Sequence, residues 1–153
     1  GRVRLLDFGI AKIMEPDGSD AALTRVSQRP ATPGYASPEM LRGEPVDVTT
    51  DVYSIGVLTY VLLTGRLPLD FTGLSLAEIL DKVSADTPPP VSFFNAAADG
   101  DVEAIVAKAM AQEPRDRYAS VEALANDIRP YLAGQPVTAK APSPRARAPG
   151  RGR

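Results

Sequence analysis

The sequence predicts a mainly α-helical domain with a small β element at its N-terminal edge. Two short apolar runs near the start, residues 3–6 and 10–14, are typical of strands. Later segments instead open on helix-capping residues and repeat apolar residues at helical spacing. A chain of 153 residues with 44% apolar content can bury one core, so one domain is expected.

The two predicted strands flank the tripeptide Asp7-Phe8-Gly9. Residues 15–34 follow them and are polar, rich in Gly, Pro, Ser, Thr and Asp, with neither a helical nor a strand period. They are predicted to form a long loop. A loop of this length in a compact domain is usually functional or disordered.

The first two predicted helices have clear boundary residues. Ser37 is a suitable N-cap, and Pro38 suits the first position of a short helix. A longer helix is predicted from a cap at Thr49 or Thr50 to a stop at Gly65. This longer helix is apolar nearly all round, which predicts a place in the middle of the core.

Three further helices are predicted towards the C-terminus. Residues 74–83 form a more amphipathic helix, and the prolines at 88–90 end that region. Asp101 opens the next helix and Ser120 opens the last. Pro130 is expected to end or kink the last helix, because proline removes a helical hydrogen bond.

The end of the chain differs in composition from the rest. From Gly134 it is rich in Pro, Ala and Arg and is predicted to be disordered, which divides the chain into a domain at 1–133 and a tail at 134–153. Residues 1–139 carry 12 Lys and Arg against 19 Asp and Glu, whereas residues 140–153 carry five basic residues and no acid. An acidic domain argues against nucleic acid as the partner.

Composition also excludes several classes of site. The chain has no cysteine and no histidine, which excludes disulfides, Cys/His metal sites and histidine-based catalytic triads. The longest apolar stretch, residues 52–63, is interrupted by Tyr, Ser and Thr, so no membrane segment is predicted. No signal peptide is visible, and a cytoplasmic location is expected, with a membrane anchor elsewhere in the parent protein as the alternative. The start of the chain looks like a cut within a longer protein.

Four motifs occur in a fixed order along the chain. Asp7-Phe8-Gly9 lies between the predicted strands, Ser37-Pro38-Glu39 follows, and then come residues 51–56 (DVYSIG) and 113–118 (EPRDRY). Each motif is weak by itself, but the set resembles the C-terminal lobe of Hanks-type protein kinases, bacterial Ser/Thr kinases in particular, over residues 1–133. The resemblance implies a kinase C-lobe without its N-lobe.

The resemblance assigns a metal site to the first motif. Asp7 matches the aspartate that holds Mg²⁺ against the ATP phosphates, and a carboxylate oxygen suits that cation. Phe8 would pack beneath the cleft, and Gly9 would let the backbone change conformation. The alternative is that Asp7 is an ordinary turn carboxylate before a glycine.

Residues 10–39 match the activation segment, which forms the platform for the substrate peptide. Thr32, Gly34 and Tyr35 fall on this platform, and Thr32 matches the threonine that contacts the catalytic aspartate and lysine. A local turn hydrogen bond is the alternative for Thr32. Gly34 replaces a residue that is usually glutamate in similar bacterial kinases, and it is expected to loosen the platform.

Two hydroxyls of the same segment are candidate phosphorylation sites. Thr24 and Ser27 lie beside Arg25 and Arg29, and a phosphate there would add nearly two negative charges that can order a loop against arginines. The alternative is that both are ordinary solvated loop residues.

Three matched residues are expected to be structural. Glu39 matches the glutamate that ends the activation segment, and Arg117 matches its ion-pair partner. Asp51 matches the aspartate that hydrogen-bonds to the catalytic-loop backbone. Asp51 also suits a helix N-terminus, where the helix dipole favours a carboxylate.

The resemblance implies a Ser/Thr protein kinase that transfers the γ-phosphate of ATP, with Mg²⁺, to hydroxyls of protein substrates. The 153 residues do not include a Gly-rich loop, an N-lobe lysine or a catalytic-loop aspartate and asparagine. No catalytic residue is therefore assigned in this chain, because the base would lie upstream of Gly1, and the chain alone is expected to be inactive. Two alternatives stay open: a pseudokinase, or a module that docks peptides or partners.

Overall fold

The computed structural model describes residues 33–98 and 100–140. Within these residues the elements, in chain order, are a 3₁₀ turn at Pro33–Tyr35, helix α1 at Pro38–Arg42, α2 at Val48–Thr64, α3 at Leu76–Ala85, α4 at Val91–Phe94, α5 at Gly100–Ala109, a second 3₁₀ turn at Pro114–Asp116, and α6 at Val121–Leu132. The described part is helical, as predicted. The predicted strands and most of the predicted loop lie outside it.

Helix α2 begins at a different cap from the one predicted. The cap is Asp47, whose Oδ1 accepts a hydrogen bond from the Thr49 N–H at 2.8 Å, while Thr50 Oγ1 accepts from the Asp47 N–H at 3.4 Å. Thr50 therefore acts in a reciprocal capping box, not as the cap itself. The predicted stop at Gly65 is confirmed, with φ at 71° and its N–H donating to the Val61 carbonyl.

Helix α2 packs against α4, α5, α6 and the first 3₁₀ turn. Its buried side includes Val52, Val57 and Tyr60. Gly56 permits a close crossing with α5, because an added Cβ would lie 2.9 Å from the Ala109 Cβ. The prediction that α2 is surrounded by core is wrong for the structure described, since Leu62 on the opposite side is 77% exposed.

Among the residues that the structure describes, two clusters contain most of the buried apolar side chains. One joins α2, α5, α6 and the segment after α6, and contains Val52, Ala104, Ile105, Ala109, Tyr118, Leu124 and Ala139. The other lies around α4 and contains Tyr60, Val91, Ala98 and Val106. Among the described helices, none is long and apolar enough to span a membrane.

Helices α3 and α4 differ from the sequence prediction. Helix α3 starts two residues late, because Ser75 and Glu78 form a capping box just before Leu76. Helix α4 was not predicted. Its first turn is stabilised from another helix: the Ser92 N–H and hydroxyl both donate to the Glu103 carboxylate, at 3.1 and 2.5 Å.

Helix α6 has the predicted N-cap and an unpredicted end. The Ser120 hydroxyl accepts from the Ala123 N–H at 3.1 Å. Pro130 lies inside the helix, which continues to Leu132, so Pro130 does not end it; the alternative, a kink at Pro130, stays a prediction. At this position proline removes a single hydrogen bond in the last turn, and packing of Tyr131 against the core favours continuation.

The segment after α6 is also a correction. Residues 134–140 were predicted to be disordered, yet Ala139 is 7% exposed and belongs to the larger core cluster. The Thr138 and Ala139 N–H groups both donate to the Asp127 carboxylate. Burial and these hydrogen bonds place residues 134–140 in the folded part of the chain. Residues 141–153 lie outside the described residues.

Candidate functional site

The predicted site residues divide into two groups. Those outside the described residues are Asp7, Phe8, Gly9, Thr24, Ser27 and Thr32. Those within them are Gly34, Tyr35, Glu39, Asp51 and Arg117. The geometry that follows concerns the second group.

Helix α1 orients Glu39 towards the interior. Ser37 caps the helix, with its hydroxyl accepting from the Met40 N–H at 3.4 Å. Gly43 ends the helix at φ 69°, and the Glu44 N–H donates a hydrogen bond to the Glu39 carbonyl at 2.9 Å. A five-residue helix capped at both ends thereby holds Glu39, which is 3% exposed.

Arg117 comes from the loop between α5 and α6. The second 3₁₀ turn begins with Pro114, whose carbonyl accepts from the Arg117 N–H at 3.2 Å, and Arg117 itself is extended. The turn sends the side chain inwards, where the whole residue is 4% exposed. Glu39 and Arg117, 78 positions apart, meet in the interior.

The two side chains form a bidentate ion pair. Arg117 Nη1 donates to Glu39 Oε1 at 2.7 Å, and Nη2 donates to Oε2 at 2.8 Å. Two parallel N–H···O bonds match the planar fork of a guanidinium to a carboxylate. This is the geometry in which a buried pair can offset its loss of hydration.

The guanidinium has an acceptor for each of its five N–H groups. Beside the two bonds to Glu39, it donates to the carbonyls of Ala111 at 2.7 Å, Thr49 at 3.1 Å and Gln112 at 3.1 Å. Its central carbon also lies 4.9 Å from the centre of the Tyr53 ring, a cation–π distance. No donor of Arg117 is left for a further ligand.

Glu39 is held in its charged form. Burial by itself raises its pKa, but hydrogen bonds from Arg117 and from the Thr50 hydroxyl, together with the Arg117 charge, outweigh burial and lower the pKa from 4.5 to about 2. The Thr50 Oγ1 to Glu39 Oε1 distance is 2.8 Å. Burial raises the pKa of the nearby Tyr53 phenol. Because Glu39 stays ionised at neutral pH, the Glu39–Arg117 pair is a structural anchor and Glu39 is not a proton donor there.

The anchor joins three segments: α1, the start of α2 and the loop between α5 and α6. The first 3₁₀ turn leads directly into α1 and is also attached to α2, since the Ser54 hydroxyl donates to the Tyr35 carbonyl at 3.3 Å. Gly34 in that turn packs on Leu67, and a Cβ at Gly34 would lie 2.7 Å from Leu67 Cδ1. Absence of a side chain therefore permits a close contact there.

Asp51 lies in the first turn of α2 and is exposed. Its position suits the helix dipole. The catalytic-loop contact that the resemblance implies for Asp51 stays a prediction. Within residues 33–98 and 100–140, no group of three or more acidic side chains could hold a metal ion. The predicted metal ligand Asp7 lies outside these ranges.

Sequence reasoning missed a second buried carboxylate, that of Asp127 on α6, which is 2% exposed and accepts a hydrogen bond from the Tyr118 hydroxyl at 2.8 Å. The available signal was an acidic residue between Leu124 and Ile128, two apolar residues four positions apart, which is the spacing of one helix face. Missed too were Thr50 and Tyr53 as partners of the Glu39–Arg117 pair.

Comparison with known families matches residues 1–128 to the family described as "Protein kinase domain". The chain belongs to the protein kinase family. Its described helices also resemble solved kinase structures. The twitchin kinase region from C. elegans aligns with a TM-score of 0.51 and 35% identity over 61% of this chain and 16% of that one. The PknI kinase domain of Mycobacterium tuberculosis aligns with a TM-score of 0.52 over 67% of this chain and 36% of that one; at 24% identity this likeness shows the fold alone.

Bacterial relatives are similar over most of this chain. A probable serine/threonine-protein kinase of Streptomyces coelicolor (SCO3848) is 38% identical over 92% of the chain and 20% of that protein. Serine/threonine-protein kinase Pkn1 of Myxococcus xanthus is 38% identical over 86% of the chain and 18% of that protein. PknB of Mycobacterium tuberculosis is 34% identical over 90% and 21%. The chain thus spans about a fifth of the length of these relatives.

Proposed function

We propose that this chain is part of a Ser/Thr protein kinase that transfers the γ-phosphate of ATP to Ser or Thr hydroxyls of protein substrates. The observation that carries the proposal is the Glu39–Arg117 pair, bidentate and buried at the end of the segment that matches the kinase activation segment. The names of the bacterial relatives support the Ser/Thr class.

The anchor would serve catalysis by position. Phosphoryl transfer depends mainly on alignment and on stabilisation of charge, so the peptide platform has to stay fixed relative to the ATP site. A saturated pair that joins α1 to α2 and to the loop before α6 would hold one end of the platform. Thr32, Gly34 and Tyr35 would lie on the platform just before that end.

The metal role falls to Asp7. Mg²⁺ with ATP supplies the phosphoryl group and neutralises its developing charge. A carboxylate is the donor that Mg²⁺ prefers, and Asp7 in its Asp-Phe-Gly context offers one. Phe8 and Gly9 would support the position and movement of that carboxylate.

Partner and compartment follow as parts of the same proposal. Residues 1–139 are acidic, with 19 acidic against 12 basic residues, which favours protein substrates over nucleic acid. Dependence on ATP and a chain without cysteine favour the cytoplasm. Thr24 and Ser27, beside Arg25 and Arg29, are proposed as phosphorylation sites that order the activation segment.

The decisive experiment uses the whole protein that contains this chain. Asp7→Asn should lower phosphate transfer to a generic protein substrate at least ~100-fold, because a catalytic metal contributes several kcal/mol. Asp81→Asn, a change of the same chemistry at an exposed position of α3, is the control and should leave transfer near the wild-type rate. Nearly normal transfer by Asp7→Asn would reject Asp7 as the metal ligand, and no transfer by the unaltered protein would favour a pseudokinase or docking module.

A further inference from the structure

The segment that follows α6 is a strap, defined here as residues 135–140, and it is tied to the helix that precedes it. Gly134 takes φ 68° and reverses the chain, and the Gln135 N–H then donates to the Pro130 carbonyl at 2.9 Å. A positive φ at this point suits glycine. The chain is thereby directed back along α6.

A single carboxylate receives the strap. Asp127 Oδ1 accepts from the Thr138 N–H at 2.5 Å, and Oδ2 accepts from the Ala139 N–H at 2.8 Å. Oδ2 also accepts from the Tyr118 hydroxyl at 2.8 Å. Two consecutive backbone donors on the two oxygens of one carboxylate fix both the position and the direction of the strap.

Side chains of the strap alternate between core and solvent. Ala139 is 7% exposed and lies in the cluster with Tyr118 and Leu124, and Val137 packs against the same cluster. Thr138, between them, is exposed. The strap therefore has an exposed threonine directly beside its own attachment point.

Asp127 is charged while it holds the strap. Burial by itself raises its pKa, but hydrogen bonds from the Thr138 backbone, the Tyr118 hydroxyl and the Thr138 side chain outweigh burial and lower the pKa. The groups that donate to Asp127 are all neutral, namely the Thr138 and Ala139 N–H groups, the Tyr118 phenol and the Thr138 hydroxyl, so none of them brings a positive charge to offset an added anion. Attachment is accordingly sensitive to negative charge next to Asp127.

We propose that residues 135–140 form a releasable strap, and that phosphorylation of Thr138 releases it from Asp127. In this step Thr138 Oγ1 forms a bond to the γ-phosphorus of ATP, the bond from that phosphorus to the β-bridging oxygen breaks, ADP leaves, and the hydroxyl proton passes to a base of the modifying kinase. Phosphothreonine has no hydroxyl hydrogen for Asp127 and adds nearly two negative charges. The proposal does not rest on the function proposed above, because any Ser/Thr kinase could make the modification.

Nearby cations do not reverse the expected effect. Lys108, Lys140 and Asp116 line the same surface hollow as Thr138. The Lys108 ammonium already lies 4.4 Å from the centre of the Tyr118 ring, and Lys140 is exposed. Solvent and salt screen the attraction between a phosphate and the exposed Lys140 more than the repulsion between that phosphate and Asp127, which is 2% exposed. The repulsion from Asp127 therefore prevails.

Release would have two consequences. The Tyr118 and Leu124 side of the core cluster would lose its cover of Ala139 and Val137. Release would also turn the strap into a flexible linker of about 6 residues. A linker of that length extends the reach of any segment joined after it by roughly 14 Å. The strap thus sets where the folded domain ends.

The first test compares two substitutions of nearly equal shape in the 153-residue chain. Thr138→Glu adds a charge beside Asp127, whereas Thr138→Gln does not. Hydrogen exchange of the Ala139 amide should be at least ~10-fold faster in the Glu variant than in the Gln variant, because exchange reports local opening. Equal exchange in the two variants would overturn the proposal.

A matched control is available in the loop before α3. The Thr72 N–H and hydroxyl donate to Asp70 Oδ1 at 2.9 and 2.6 Å, in an arrangement similar to that of Thr138, but Asp70 is exposed. Exchange of the amide at position 72 should differ less between Thr72→Glu and Thr72→Gln than exchange of the Ala139 amide differs between Thr138→Glu and Thr138→Gln. The reason is that solvent screens the charges at Asp70. An equal difference at both sites would show that burial of Asp127 has no part in release.

The second test adds Asp127→Asn to each Thr138 variant and also uses a semisynthetic chain with phosphothreonine at 138. Once Asp127 is replaced by neutral Asn, the Ala139 exchange rates of the Thr138→Glu and Thr138→Gln variants should agree within ~2-fold, as expected if Thr138 and Asp127 are directly coupled. Phosphothreonine should speed Ala139 exchange more than Glu does. Slower exchange in the phosphorylated chain would mean that Lys108 and Lys140 hold the phosphate, and it would overturn release.

Discussion

Glu39 and Asp127 are both buried carboxylates, 3% and 2% exposed, but different groups stabilise them. Glu39 faces the Arg117 guanidinium, whose five N–H groups all have acceptors. Asp127 instead accepts from a phenol and two backbone N–H groups. The first arrangement joins residues 78 positions apart, and the second joins residues 11 and 12 apart.

This difference indicates that the interactions of Glu39 cost more free energy to break than those of Asp127. A buried pair of opposite charges is costly to break, because each partner would be left uncompensated in the interior. Neutral donors can be replaced by water when a short segment moves away, so opening costs less. The Glu39 site is therefore suited to a constant anchor, and the Asp127 site is suited to a segment that detaches.

The largest effect is expected at the charged pair. Arg117→Ala should lower the free energy of unfolding by about 3–5 kcal/mol, because the Glu39 carboxylate stays buried without its cation. Urea melts of the 153-residue chain measure this change. Arg115→Ala, at an exposed position two residues earlier, is the control and should stay within about 0.5 kcal/mol of wild type. A loss below about 1 kcal/mol would place the pair in the class of exposed salt bridges.

Protonation of Glu39 by acid should lower the free energy of unfolding by less than Arg117→Ala does, because Arg117 keeps its three carbonyl acceptors. The pKa of Glu39 lies at about 2 in the folded chain against an ordinary 4.5. A lowered carboxyl pKa adds stability that is complete above pH 4.5 and is lost as pH falls through about 2. Urea melts across this window should show a steeper loss for wild type than for Glu39→Gln. Parallel curves would show that Glu39 does not titrate abnormally.

Asp127→Asn should cost about 1–3 kcal/mol of unfolding free energy, less than Arg117→Ala. The amide keeps one acceptor oxygen but turns an NH₂ donor towards a donor of Thr138, Ala139 or Tyr118. Asp116→Asn, at an exposed position, serves as the control and should change little. If Asp127→Asn cost as much as Arg117→Ala, the contrast between the two carboxylates would fail.

The smallest effect is expected from Tyr118→Phe, at about 1 kcal/mol, because Asp127 keeps both backbone donors. Hydrogen exchange at Ala139 should rise only slightly, since the strap does not depend on the phenol for its own bonds. A loss of strap protection as large as in Asp127→Asn would show that Tyr118, and not the carboxylate alone, fixes the strap.

Short-range signals in the sequence predicted three helix boundaries correctly, the starts of α1 and α6 and the end of α2. Ser37, Ser120 and Gly65 act as caps because each interacts with backbone three or four residues away. The cap of α2 was misplaced because Asp47 and Thr50 are both suitable capping residues and act together. Helix α4 was missed because Glu103, from α5, stabilises its first turn.

Of the candidate site, the sequence identified Glu39 and Arg117 through motifs that resemble a family, and not through any local pattern. It did not indicate Thr50 or Tyr53 as their partners, because both contacts arise where α1, α2 and the loop before α6 converge. The strap was predicted as disordered because Pro, Ala and Arg are typical of linkers. Composition carries no information about Asp127, which lies 11 positions before Thr138.

The sequence by itself determined the helical class, the caps at Ser37, Gly65 and Ser120, the acidic character of residues 1–139 and the order of four motifs. These properties depend on residue type and on neighbours within one or two helical turns. Only the tertiary structure decided which carboxylates are buried, which donors satisfy them, and that residues 134–140 belong to the folded domain. The physical reason is that a buried charge is stabilised by groups brought together from distant segments, and their convergence has no counterpart in local sequence.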